Sequence, residues 1–142
     1  MTPFPELPTL LAAGATVAGL ALPVARADAT GETVPGVIAM RFAAPIFFGN
    51  AQTLSAAIRT AVHRAPHPVS AFILDMEGVT DVDVTGAEAL AKELQWLQGQ
   101  GITFAYSRVR PQLRANLERM RLFQGHSVFE TNRAAVAALR PA

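Results

Sequence analysis

The chain has the size and composition of one folded domain, and its weak net charge excludes several functions. Of its 142 residues, 51% are hydrophobic and 16% are charged, and the formal net charge is +1. These values are atypical of disordered chains and of nucleic-acid-binding proteins. There is no cysteine, so we expect neither disulfides nor thiol chemistry. We also expect no metal and no cofactor, because Pro66 would break any helix that aligned His63 with His67.

Residues 1–33 differ from the remainder of the sequence and are interpreted as an apolar leader. No charged residue occurs from Leu7 to Ala25, as in a signal peptide or a membrane anchor. The small residues around Arg26 fit a signal-peptide cleavage site, whereas the first six residues lack the basic charge of a signal peptide. A disordered segment, or the remnant of a longer protein, is the third interpretation.

The patterned domain is predicted to cover residues 34–142. Alternating apolar residues predict a strand from Val37 to Phe42, and a second short extended segment follows at Ile46–Phe48. Asn50 is the predicted N-cap of the first helix, which Pro66 and Pro68 end. The apolar stripe of this helix consists of Leu54, Ile58, Ala61, Val62 and Ala65.

A buried strand, an acidic loop and a second helix follow in direct succession. The continuous apolar run Val69–Leu74 is typical of a central strand that is buried on both faces. The helix is predicted from Gly86 onward. The acidic residues between them are Asp75, Glu77, Asp81 and Asp83, and the helical stripe consists of Ala87, Leu90, Ala91, Leu94 and Leu97.

The last third of the chain repeats the alternation of strand and helix. Ile102–Tyr106 is predicted as a strand, Pro111 as the first residue of a third helix, and Thr131 as the cap of a last helix. Ser127–Phe129 is a further short apolar segment. The alternation predicts an α/β domain with a mixed, mostly parallel sheet of about four or five strands packed with about four helices. We expect the two N-terminal strands to pair antiparallel at one edge; the strand order stays open.

Four segments together carry a resemblance to a known family: VPGVI at 34–38, RF at 41–42, PIFFGNA at 45–51 and ILDMEGVTDVDVTGAEAL at 73–90. They resemble the STAS domain, most closely the one at the cytoplasmic C-terminus of SulP-type sulfate and anion transporters. The resemblance covers about residues 34–140. It implies a small α/β domain without enzymatic activity or cofactor. It also implies a cytoplasmic location, at the inner face of the membrane, and a role in protein contacts and transport regulation.

The resemblance further implies the kind of partner. The partner would be the membrane domain of a transporter or a regulatory protein, self-association is a further option, and nucleic acid is not expected. SulP transporters carry membrane helices before this domain, so the chain resembles a stand-alone STAS protein or a separated piece of a transporter. A related branch, the anti-sigma-factor antagonists, carries a phosphorylated serine at the position of Val84, which has no hydroxyl; only Thr85 matches the second hydroxyl of that motif.

The residues Asp81, Asp83, Val84, Thr85 and Gly86 form the candidate regulatory or contact loop. Thr85 and Glu88 have the spacing of a capping box, which predicts Thr85 as the N-cap of the second helix. Thr85 is interpreted either as a cap alone or as a cap within a regulatory surface. Asp81 and Asp83 are interpreted as carboxylates stabilised by the positive end of the helix dipole, or as an acidic surface for a basic partner. A role as a catalytic pair is disfavoured, since no nucleophile or histidine is close to them in sequence.

Two further surfaces are candidates for contacts. Trp96 lies on the shoulder of the second helix, either at the edge of the core or partly exposed for binding. Arg110 and Arg114 belong to an arginine-rich stretch, which is either a solvated face, with Arg114 paired to Glu118, or a patch for anions or lipid headgroups. The stretch also includes Arg108, Arg119 and Arg121.

Overall fold

The computed structural model describes residues 31–141, which form one five-stranded sheet and four helices. In chain order the elements are β1 (Gly31–Val34), β2 (Val37–Arg41), α1 (Phe48–Arg64), β3 (Ala71–Asp75), α2 (Val84–Gly99), β4 (Thr103–Ser107), α3 (Pro111–Arg119), β5 (Ser127–Phe129) and α4 (Asn132–Leu139). The predicted α/β class is confirmed. Of the predicted leader, residues 1–33, the part from 1 to 30 lies outside the described residues.

The sheet order is sequential, β1-β2-β3-β4-β5, and every pair after the first is parallel. Parallel neighbours require crossovers, and α1, α2 and α3 make the three connections. Because such crossovers are right-handed, a sheet that grows in one direction places all three helices on the same face. The fourth helix, α4, follows the last strand and packs on the opposite face.

Strands β2, β3 and β4 sort their side chains by size between the two faces. The large residues meet α1, α2 and α3 in the main core: Ile38, Met40, Phe72, Leu74, Phe104 and Tyr106. The small or β-branched residues Val37, Ala39, Ala71 and Ile73 face α4, whose own contact residues include Ala135. Burial of a Leu on α2, such as Leu90 or Leu94, contributes about 1.5–3 kcal/mol, so the main core anchors the helix that begins at the candidate loop.

The antiparallel edge differs from the prediction. The partner of β2 is β1, which begins at Gly31 inside the predicted leader, and Pro35-Gly36 forms the turn between them. The φ of Gly36 is +86°, as the third residue of a type II turn requires, and Pro suits the second position. Ile46 forms an isolated parallel bridge with Val82, and Phe47 is extended before the helix begins at Phe48. The predicted extended segment at 46–48 therefore does not pair antiparallel with β2.

The start of α1 also differs from the prediction. The helix begins at Phe48, and Asn50 lies in its first turn, where the side-chain oxygen accepts a hydrogen bond from the Phe47 amide at 2.9 Å. The Asn50 side chain donates to the carbonyl of Pro45 as well. The predicted N-cap role is therefore wrong, but fully buried Asn50 still fixes the chain entering the helix. Thr131, by contrast, is confirmed as the cap of α4, since it accepts from the Ala134 amide.

Removal of β1 should destabilise the domain. A chain beginning at Pro35 loses the pairing of β1 with β2 and the hydrogen bond from Thr33 to the Val37 carbonyl. Compared with a chain beginning at Ala29, we expect a loss of about 1 kcal/mol or more, which lowers the melting temperature by about 4–8 °C. Thermal unfolding followed by circular dichroism measures the difference, and equal melting temperatures would show that β1 does not stabilise the sheet.

Candidate functional site

The connections after β2 and after β3 lie backbone to backbone at the carboxyl ends of the strands. The Ile46 amide donates to the Asp81 carbonyl at 2.9 Å, and the Asp83 amide donates to the Ile46 carbonyl at 3.1 Å. Ile46 and Val82 are both buried. Because each connection satisfies polar backbone groups of the other, the acidic loop is held in one conformation by the neighbouring loop.

Gly86 is where α2 presses against this neighbouring loop. A Cβ atom on Gly86 would lie 2.3 Å from the Ile46 carbonyl oxygen, which is backbone and has little freedom to move. Gly86 is buried, unlike the four other predicted loop residues. Its role is to allow the first turn of α2 to approach the loop.

The predicted capping box at Thr85 is wrong, because α2 begins two residues earlier than that box requires. Asp83 is the N-cap, and its Oδ1 accepts from the Gly86 amide at 2.7 Å. Thr85 lies in the first turn, and its hydroxyl donates to the same Oδ1 at 2.9 Å. Aspartate is as good an N-cap as threonine, and the earlier residue takes the role here. Thr85 thus orients the capping carboxylate.

We call Asp81, Asp83, Val84 and Thr85 the Val84 surface, since all four are exposed. Val84 is 65% exposed, and it is the one exposed large hydrophobic residue among those of residues 31–141 whose side-chain burial is described. Two carboxylates and a hydroxyl surround it. The structure therefore brings together four of the five predicted loop residues as a surface, with Val84 and Thr85 belonging to the helix.

Trp96 lies three turns along α2 from Val84, about 18 Å away at 1.5 Å per residue. It is half-buried against the main core. The Arg59 guanidinium lies over its ring at 4.6 Å from the centroid, and the His63 ring meets it edge-on at 5.9 Å. Arg59 Nε also donates to Glu93 at 3.1 Å. Trp96 thus belongs to a separate surface between α1 and α2.

The arginines of the predicted arginine-rich patch contact different groups and do not form one surface. Arg108 binds Asp75, and Arg110 Nε donates to the Glu77 carbonyl at 2.7 Å. Arg114 lies 5.8 Å from the centroid of the Phe123 ring instead of pairing with Glu118, so that predicted ion pair is wrong. Only the first two arginines turn toward the carboxyl ends of the strands.

Asp75 is the centre of a polar cluster there that the sequence did not predict. It is the last residue of β3, is 2% exposed, and accepts from Arg108 Nε at 3.1 Å and from Asn132 Nδ2 at 2.9 Å. Burial acts to raise the pKa of Asp75, but the hydrogen bonds from Arg108, the Glu77 amide and Asn132 outweigh it and hold that pKa below its usual value. The same bond raises the pKa of Arg108. Asp75 therefore stays ionised and ties α4 to the sheet.

A cleft of about 390 Å³ lies near the amino end of β4, away from the Val84 surface. Leu94, Ile102 and Phe104 give it apolar walls, and Gln98 and His126 are among its polar lining residues. Burial lowers the pKa of His126, opposed by a hydrogen bond with the Phe104 backbone. None of the predicted contact residues lines this cleft.

The chain belongs to the STAS domain family, whose sequence profile matches residues 29–135. Among curated proteins, the chain is 35% identical over 113 residues to Probable sulfate transporter Rv1739c of Mycobacterium tuberculosis. That match covers 77% of this chain and 20% of the relative, so the chain spans about a fifth of its length.

Solved structures show the same fold in two kinds of protein. The murine anion transporter Slc26a9 in the inward-facing state has a TM-score of 0.69 at 22% identity, over 77% of this chain and 18% of that protein. A putative anti-sigma factor antagonist of Thermotoga maritima has a TM-score of 0.65 at 15% identity, over 76% of this chain and 91% of that protein. No helix within residues 31–141 is both long enough and apolar enough to span a bilayer.

Substitution of Gly86 tests the close approach of α2 to the loop. We expect Gly86→Ala to lower the free energy of unfolding by about 1–3 kcal/mol, because the added methyl group overlaps the Ile46 carbonyl. Gly99→Ala is the matched control in the same helix, since nothing lies within 4 Å of its Cβ position; it should be neutral or stabilise by up to about 1 kcal/mol. Urea unfolding measures both, and equal effects would contradict the packing argument.

Substitutions at Asp83 and Thr85 test which residue caps α2. Asp83→Ala should cost about 1 kcal/mol of unfolding free energy, whereas Asp83→Ser should retain most of the cap. Thr85→Ala should cost less than about 0.5 kcal/mol, because its exposed hydroxyl bonds only to the Asp83 side chain. The same unfolding measurement applies. A larger loss for Thr85→Ala than for Asp83→Ala would return the capping role to Thr85.

Proposed function

We propose that this chain is a non-enzymatic STAS module that regulates SulP-type sulfate or anion transport through contact with another protein. The observation that carries the proposal is the 35% identity over 113 residues to a protein named as a sulfate transporter. The partner is the membrane domain of a transporter or a regulatory protein that acts with it. The module then works in the cytoplasm, at the inner face of the membrane.

The Val84 surface is the contact region in this proposal. An exposed valine gains about 1.5–3 kcal/mol when a partner buries it fully, and the adjacent carboxylates of Asp81 and Asp83 favour a basic rim around that partner's apolar pocket. The hydrogen bonds between the two loops hold this surface rigid before binding, so little conformational entropy is lost on association. The surface around Trp96 and Arg59 is a second, separate contact region.

The proposal of a non-enzymatic role is supported by what the acidic residues do. Asp83 caps α2, and the Asp81 side chain accepts from the Val82 amide at 2.9 Å, so both carboxylates serve the conformation of their own loop. Within residues 31–141 no group of three or more His, Asp or Glu side chains could hold a metal ion. We therefore assign the Val84 surface a role in protein contacts and not in catalysis.

An anti-sigma-factor antagonist-like signalling role is the second candidate. The fold shared with the Thermotoga maritima protein favours it, and so does the exposed Thr85 hydroxyl at the start of α2. Phosphate at that position would gain from the helix N-terminus but meet the charges of Asp81 and Asp83. The absence of a hydroxyl on Val84 weighs against this candidate, because Val84 occupies the position of the phosphorylated serine in that branch.

Capture of partners from native membranes tests the proposal. The tagged full chain should retain a SulP-type membrane protein, and Val84→Asp should reduce that retention at least about tenfold, since it removes an apolar contact and adds charge. Ala137→Asp, an equal charge change at an exposed position of α4, should retain the partner. Mass spectrometry identifies the captured proteins.

Three outcomes separate the candidates. Loss of the partner in both folded variants, or in neither, would contradict the Val84 surface as the contact region. Retention of an anti-sigma factor in place of a membrane protein would contradict the transporter role and support the signalling role.

A further inference from the structure

Three arginines converge on Glu77 at the carboxyl ends of the parallel strands. Arg41 Nη2 lies 2.9 Å from Glu77 Oε1, and Arg108 Nη1 lies 3.2 Å from Glu77 Oε2. Arg110 Nε donates to the Glu77 main-chain carbonyl at 2.7 Å. The carboxyl ends of β2, β3 and β4 meet at this edge of the sheet.

The strand register places the cluster. Arg41 ends β2 and is paired with Asp75, the last residue of β3, which in turn is paired with Ser107 at the end of β4. Asp75 bonds to Asn132 at the start of α4, so the cluster lies on the α4 face of the sheet. The Val84 surface lies at the start of α2, on the other face. The two features are therefore distinct.

The charges of the cluster do not cancel. The cluster holds three guanidinium groups and two carboxylates, Asp75 and Glu77, so one positive charge is in excess. Because Asp75 is paired with Arg108 and also accepts from Asn132 and the Glu77 amide, Glu77 is the remaining carboxylate beside Arg41 and Arg110. The Glu77 side chain is 44% exposed. Exposed ion pairs are weak because solvent screens them and the side chains lose rotamer freedom. Glu77 can therefore move out toward solvent and leave a cationic site behind.

Two observations indicate that the arginines are positioned for an acceptor beyond Glu77. Arg41 Nε is buried and has no hydrogen-bond partner within residues 31–141, although buried donors are nearly always satisfied. Arg108 has a φ of +52°, a left-handed conformation that is costly for a residue other than glycine and that concentrates at functional sites. The Asp75 carboxylate holds the Arg108 guanidinium in place despite that cost.

We propose that Arg41, Arg108 and Arg110 form a binding site for a small oxyanion, and that the Glu77 carboxylate occupies this site when the anion is absent. Planar guanidinium groups bind the paired oxygens of sulfate, phosphate or carboxylate through two parallel hydrogen bonds. Binding exchanges an internal carboxylate for an external oxyanion, so the free and bound states differ in the position of the Glu77 side chain. The site does not depend on the protein partner proposed above.

Titration of the full-length chain with sodium sulfate tests the site. Sodium sulfate replaces sodium chloride stepwise, so that the ionic strength stays constant. Amide chemical shifts in two-dimensional NMR report binding at residues 75–78 and 107–110. Glu77→Gln should tighten sulfate binding about threefold or more, since it removes the competing internal charge but keeps the side-chain shape. Arg41→Gln should weaken binding about tenfold or more, because it removes a charge-assisted contact.

Matched controls use exposed residues outside the cluster. Glu118→Gln at the end of α3 and Arg64→Gln at the end of α1 are both exposed and make the same charge changes, so they should leave the affinity within about twofold. Arg110→Gln replaces Arg41→Gln if the latter fails to fold.

The result expected is saturable sulfate binding with opposite shifts in affinity for Glu77→Gln and for the arginine variant. Absence of saturable shifts in both the natural chain and Glu77→Gln would overturn the site. Equal affinity in the folded arginine variant would overturn it too, since that is the behaviour of a nonspecific ion effect. Equal affinity in Glu77→Gln would overturn the role of Glu77 as the internal occupant.

Discussion

The in-register parallel pairing of β2, β3 and β4 is the constraint on which the structure depends. It separates large from small side chains onto opposite faces, which fixes three helices on one face and the short, alanine-rich α4 on the other. It also aligns Arg41, Asp75 and Ser107 at the strand ends. Since parallel strands deliver all their carboxyl ends to one edge, residues far apart in sequence meet there without any local signal.

The sequence predicted most helices and strands because their apolar periodicity is local. The stripes through Leu54 and Leu90 and the run ending at Leu74 correspond to α1, α2 and β3. β1 was missed because it was assigned to the apolar leader, although Pro35-Gly36 between Val34 and Val37 is a turn signal that could have found it. The cap of α2 was misplaced because Asp83 and Thr85 are both good N-caps, and local pattern cannot choose between them.

The candidate site was predictable as a segment but not as a surface. Sequence placed Asp81, Asp83, Val84 and Thr85 before a helix; which of them is exposed depends on the loop at Ile46, thirty-five or more residues away in the chain. The pair of Asp75 with Arg108 was beyond sequence reasoning for the same reason, since its partners belong to different strand ends and to α4. Long-range pairing, not propensity, decides both features.

The two outer strands are short, four residues in β1 and three in β5, and this limits how copies of the domain can join. An exposed sheet edge recruits another strand in proportion to the length of backbone it offers, and short edge strands are one way in which natural proteins avoid such pairing. Growth of the described sheet by addition of a neighbour's strand is therefore disfavoured. Assembly of this domain, with itself or with a partner, is left to side chains on its helices and loops, where specificity can be encoded residue by residue.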